Sequence, residues 1–216
     1  MTRSPQSAID ALFLAHRAVA EATQGLLDVP HDDLVSGLAD ALATARALAD
    51  EDESSRRFLA IADVLAELEG PRVAELLVDL LDVDDLEACG AAGEALVGLA
   101  SERFKEVAQV VERHLANAEG SSRILRELAY VFAAVPEASS AKLLEKFLQH
   151  RDPEVVAAGI EALVDIGEPS TARALEALKR DKREVSVEDD NEEVHAVTLG
   201  ELAQEALTLI RGGGRG

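Results

Sequence analysis

The chain is poor in several residue types at once: in 216 residues it has one cysteine, one tyrosine and no tryptophan. The lone Cys89 excludes an internal disulfide and any metal site built on several thiolates. Its neighbours Ala88, Gly90, Ala91 and Ala92 mark it as a small buried thiol rather than a nucleophile. With aromatics at 3%, the core has to be made from Ala, Leu, Val and Ile, which suits close helix packing. Positive charge is also scarce, 21 Lys and Arg against 42 Asp and Glu, for a net charge of −21. So acidic a surface repels phosphate, which argues against nucleic acid and anionic membranes as partners. It points to a protein partner with a basic surface, although solubility alone is another use of such charge. Long apolar runs are missing as well. Met1-Thr2-Arg3-Ser4-Pro5 does not lead into a signal-type apolar stretch and no segment reaches the length of a membrane span, so the expectation is a cytoplasmic protein.

What the chain does have is helical spacing. Ile9, Leu12, Phe13, His16, Val19 and Ala20 fall at steps of three and four, on one stripe of a helix opened by Ser4 and Pro5. A second helix is expected from about Asp32 to Ala49, after Val29-Pro30, with the acidic run Asp50 to Glu53 as the spacer that follows. Beyond it the sequence repeats. Glu94 to Leu99, Glu161 to Ile166 and Glu205 to Ile210 all read E-A-L-x-x-[IL]; Asp63 to Leu68 is a looser copy, and Val131 to Val135 holds the same place. The closing apolar residues Leu68, Leu99, Val135, Ile166 and Ile210 are spaced by 31, 36, 31 and 44. After each of the first four comes a break and a second helix: Val73 to Leu81, Phe104 to Leu115, Ala141 to Leu148 and Ala172 to Leu178. Gly70-Pro71, Pro136 and Gly167-Glu168-Pro169 supply the punctuation, and Asp152-Pro153 starts another helix. A two-helix unit cannot bury its apolar stripe alone, so such units must stack.

The stretch Arg151-Asp152-Pro153-Glu154-Val155-Val156-Ala157-Ala158-Gly159-Ile160-Glu161-Ala162-Leu163-Val164-Asp165-Ile166-Gly167 resembles the D-P-x-V-R-x-x-A-x-x-A-L-x-x-I-G signature of the short bacterial HEAT repeats. Val156 stands where that family has an Arg that bonds between repeats. The resemblance implies an all-α, right-handed helical solenoid of about five helix pairs, with second helices lining the concave side and no catalytic residues. Organisation follows: an N-terminal capping pair at 1–50, repeats at 53–182, a hairpin insert at 183–198, a last helix at 198–211 and a flexible tail at 212–216. The insert is read from alternation, Val185 and Val187 before a polar tip, Val194 and Val197 after it. The tip, Glu188 to Glu193, reads as a solvated turn, since its carboxylates lack the EF-hand spacing and central Gly that calcium would need. Thr198 and Glu201 form a capping box for the last helix.

Candidate chemistry is thin. His16, His31, His114, His150 and His195 lie one per element, with no pair three or four apart and no His-Glu dipeptide. The iron-binding His-Glu pairs of the HEAT-like deoxyhypusine hydroxylases are therefore missing. His16 and His114 fall on apolar stripes as core or boundary residues, and His150, near a helix C-terminus, is expected to be partly cationic. Gly90 to Gly93 reads as a helix-packing pattern. No catalytic residue, metal ligand or cofactor is expected, and the chain reads as a non-enzymatic interaction scaffold. The alternatives are an immunity-type acidic inhibitor that covers a basic surface, and a bilin-lyase-like factor; the DNA-embracing alkylpurine glycosylases of the family need a basic surface and stacking aromatics. The binding surface is expected on the second helices, where offsets of 31, 36 and 31 align two rows. One is Glu75, Glu106, Lys142 and Arg173; the other is Asp82, Arg113, Gln149 and Arg180; Asp79 and Lys146 share the face. Both rows turn from acidic to basic, and residues 1–101 carry 6 basic and 20 acidic side chains against 15 and 22 in residues 102–216. Solvated faces would account for the rows; a graded groove would read a partner whose basic end lies toward the N-terminal repeats.

Overall fold

A computed structural model describes residues 4–117, 120–135, 137–188 and 194–213. The chain forms two compact units, Met1–Val64 and Leu65–Gly216. In the first, Ser4 caps α1 (Pro5–Leu27) by accepting from the Ser7 amide at 3.2 Å, with Pro5 in the opening turn as its fixed φ favours. Pro30 then breaks the chain before α2 (His31–Arg46), which buries Leu34, Val35, Leu38, Leu42 and Ala45. The acidic run is not a spacer: Glu51, Asp52 and Glu53 are the first turn of α3 (Glu51–Leu65), and Asp50 Oδ1 accepts from the Glu53 amide at 3.1 Å. Carboxylates at a helix N-terminus offset its unpaired amides, so a cluster that looks like a linker starts a helix.

The second unit is a line of stacked helices with one small hairpin. In chain order it holds α4 (Pro71–Leu80), α5 (Leu86–Ala116), α6 (Ser122–Ala134), α7 (Ala138–Phe147), α8 (Pro153–Ile166), a short 3₁₀ turn (Pro169–Thr171), α9 (Ala172–Leu178), β1 (Glu184–Glu188), β2 (Val194–Thr198) and α10 (Leu199–Gly213). Successive helices lean on their neighbours: α5 on α4 and α6, α8 on α6 and α7, α10 on α8 and α9. Each covers the apolar stripe that the one before it leaves bare, and the core is mostly aliphatic, as composition requires. The break expected before Phe104 is instead a kink within α5, where Arg103 alone leaves helical geometry (φ −131°, ψ 48°). It joins a first-helix segment, 86–102, to a second-helix segment, 104–116, without a loop.

The helix signals hold where the sequence placed them. Asp152 caps α8 by accepting from the Glu154 amide at 3.0 Å, and Gly167 closes it in the left-handed region (φ 64°). Thr198 and Glu201 form the capping box: Thr198 N donates to Glu201 Oε2 at 2.9 Å and Glu201 N to Thr198 Oγ1 at 3.2 Å. The strands pair antiparallel, Val185 opposite Val197, with Val185 buried. The hairpin tip at 189–193 and residues 214–216 of the expected tail lie outside the described residues; Gly212 and Gly213 belong to α10, which runs past its expected end.

Burial, the largest influence on Asp152, pushes its carboxyl up. The Ser122 hydroxyl, the Glu154 amide and the Arg126 guanidinium are among the groups that outweigh it and hold the carboxyl below the ordinary aspartate range. A depressed carboxylate stabilises the fold above its unfolded pKa, and that contribution disappears as pH falls through the folded value. Asp152→Ala is expected to cost about 1 kcal/mol at neutral pH, the worth of a helix cap. Denaturant unfolding should show the gap between wild type and variant narrowing as the pH falls through and below the ordinary carboxylate range.

Candidate functional site

Three second-helix elements, α4, the 104–116 segment and α7, are tied to one another by charge. Glu75 on α4 accepts from Arg113 at 2.7 Å and from Arg72 at 2.8 Å. Partial burial, the largest influence, raises the Glu75 pKa, but the two guanidiniums together bring it below the ordinary value. Lys146 on α7 reaches back to Glu112 at 2.6 Å, and Arg103 at the kink bonds both Glu69 and Glu106. Asp82 accepts from the Ser121 hydroxyl at 2.8 Å. Glu69, Arg103 and Glu112 are partners that the row alignment did not reveal. Each exposed pair contributes little alone, about 0.2–1 kcal/mol, but together they fix the register of one repeat on the next.

The surface positions expected from the sequence therefore divide in two. Glu75, Arg113, Glu106 and Lys146 are joined in ion pairs, Asp82 is held by a hydroxyl, and Asp79 is half-buried. Lys142 on α7, Arg173 on α9 and Arg180 just beyond α9 are exposed, with no ion pair or hydrogen bond among the described residues. Along the rows, charge left without an internal partner is cationic and sits at the C-terminal end.

Arginines also bind loop carbonyls across repeats. Arg123 donates to Val83 O at 2.7 Å, and Arg183 to His150 O at 2.8 Å and Arg151 O at 3.1 Å, while Asp181 holds Arg183 at 2.7 Å. Val156, at the signature's Arg position, is fully buried. An aliphatic side chain suits that place, and Arg183 makes bonds between repeats from another element.

These leaning helix pairs are matched over residues 111–193 by the family model of HEAT repeats. This stretch of the chain is HEAT repeat. It contains the segment 151–167 whose residues carry the signature, and Lys142, Lys146, Arg173 and Arg180 lie within it. No curated protein matches the chain. The crystal structure of an engineered protein aligns with it at 22% identity, covering 89% of this chain and 90% of that one, with a TM-score of 0.34.

Other candidates in and around the HEAT segment resolve as structural. Cys89 is part-buried with carbonyl oxygens of Val83 and Leu80 at 3.2 and 3.5 Å, and burial raises its pKa, so the thiolate is disfavoured. His150 Nδ1 accepts the Asp152 amide at 3.2 Å, a local bond beside the cap of α8. His16 is exposed rather than core or boundary, and His114 is half-buried. Among the described residues no three His, Cys, Asp or Glu side chains gather as metal ligands. No helix among them is long and apolar enough to cross a membrane.

Proposed function

We propose that the HEAT array is a non-enzymatic scaffold that binds a protein partner along its second helices, with an acidic part of that partner over Lys142, Arg173 and Arg180. HEAT repeats commonly serve as protein-interaction scaffolds, and the fold supplies a continuous row of helix faces. The observation that carries the reading is the division of charge along the row. Acidic groups toward α4 are consumed by bridges between neighbouring helices, whereas these three cations make no such bridge among the described residues. In a chain of net charge −21, exposed cations without internal partners are the places where an acidic segment is least repelled.

The test uses residues whose reversal breaks no bridge. Lys142→Glu, Arg173→Glu and Arg180→Glu, combined in the full chain, leave every ion pair described above in place. Affinity capture with wild type should recover partners that the triple variant loses, with the melting temperature of the chain shifting little. Recovery of the same partners in equal amount by both forms would remove this reading.

A further inference from the structure

A second surface lies in the unit Met1–Val64. The stripe on α1 is not covered: no residue of that helix is buried, and Leu12, Phe13, Leu14 and Val19 are each more than half exposed. Where α1 faces α2 and α3 it leaves an open groove of about 690 Å³, walled by Val19 and Leu26 and floored by Leu34, Leu38, Ile61 and Val64. Gly37 and Ala41 line it too, and a Cβ placed on Gly37 would meet nothing within 4 Å. Small residues along α2 therefore leave room for a backbone to come close.

Three observations decide what fits. The apolar strip runs along α1 from Ile9 to Leu26, about 25 Å at the helical rise, so the occupant is elongated rather than a compact ligand. At the groove Arg57 is taken by Glu53 at 2.8 Å, whereas Asp33 and Asp63 are exposed and make no ion pair or hydrogen bond among the described residues. The uncompensated charge beside the apolar floor is negative. Finally, a second copy is a poor occupant: two chains of −21 repel, and α1 of another copy offers Asp10 and Glu21 against Arg17, with no cationic surplus to meet those aspartates.

We infer that this groove takes an amphipathic helix from a partner protein, its apolar face on α1 and α2 and its basic flanks against Asp33 and Asp63. That is the helix-in-groove mode, in which anchors at positions i, i+3, i+4 and i+7 enter a hydrophobic trough. The site is separate from the second-helix row and stands without it.

The probe is a synthetic amphipathic peptide of about 16 residues, the length of helix that spans such a strip, with Leu on one face and Lys on the other. A matched peptide carries Glu in place of Lys. Calorimetric titration of the full chain should show the Lys form binding at least tenfold more tightly. Gly37→Leu fills the groove and raises helix propensity, so it should weaken the Lys peptide at least tenfold without lowering the melting temperature. Asp33→Lys with Asp63→Lys should abolish the preference for Lys over Glu. Binding that survives Gly37→Leu would be general attraction to an acidic surface and would overturn the inference. Equal binding of the two peptides would overturn it as well, as would a dimer in sedimentation that Gly37→Leu dissociates.

Discussion

Replacing Phe132 by Ala is expected to destabilise the Leu65–Gly216 unit by about 3–5 kcal/mol, the usual cost of emptying a buried aromatic site. Phe132 is fully buried on α6, and its ring meets that of Phe104 edge to face, with centroids 5.6 Å apart and planes at 83°. Such a pair adds about 0.5–1.5 kcal/mol beyond the area it buries. It joins α6 to the 104–116 segment just past the kink, where no loop separates first from second helix. In a chain with only five phenylalanines and no tryptophan, no other large ring stands ready to fill the space. Denaturant unfolding followed by far-UV circular dichroism measures the loss. Phe13→Ala is the control: that ring is 62% exposed on α1, and its removal should change stability by less than about 0.5 kcal/mol. A small effect at Phe132 would show that the α5–α6 contact does not hold this array together.

Those two phenylalanines mark the limit of what periodicity reveals. Both fall on apolar stripes of convincing helical spacing, yet one is core and the other faces solvent. Spacing identifies the apolar side of a helix; it does not say whether a neighbour exists to cover it. Local signals carried the rest of the fold well. Gly70-Pro71, Asp152-Pro153, Gly167 and the Thr198–Glu201 pair act within one turn of the chain, and helices begin and end at them. The alternation of Val185, Val187, Val194 and Val197 likewise gave the hairpin, because a pleated strand has a fixed period of two.

The binding surface was less legible, for a geometric reason. Offsets of 31, 36 and 31 align equivalent positions, which set Glu75 beside Glu106 as one acidic row. In the folded chain Glu75 bonds Arg113 instead, two helical turns farther along, because neighbouring helices lean across one another. A row of like charges on paper becomes a ladder of opposite charges in space, and the groups left over are Lys142, Arg173 and Arg180. The break expected before Phe104 falls at Arg103, but its form, a kink rather than a loop, was not legible because neither Gly nor Pro marks it; that Arg is held by Glu69 and Glu106 on either side in sequence.

Two helices of the array, α7 and α8, come close together at Gly159, and this contact supplies the second large effect. A Cβ at Gly159 would lie 2.8 Å from Phe147 Cβ and 3.5 Å from Leu148 Cδ2, so α7 and α8 touch through the missing side chain. Phe147 is fully buried and its Cβ is fixed by the backbone of α7, so it cannot swing aside as a long side chain would. Alanine in a helix interior is favoured over glycine by about 1 kcal/mol, while forced separation of a packed pair costs typically 1–3 kcal/mol. At Gly159 the overlap with a fixed atom puts the cost near the top of that range, so Gly159→Ala should destabilise by about 2 kcal/mol net. Gly93 on α5 shows the other sign. There a Cβ would meet only Val131 Cγ2 at 3.8 Å, an ordinary contact, and Gly93→Ala should stabilise by about 1 kcal/mol. Denaturant midpoints that moved in the same direction for both variants would mean that helix propensity, not the approach of α7 to α8, decides these positions.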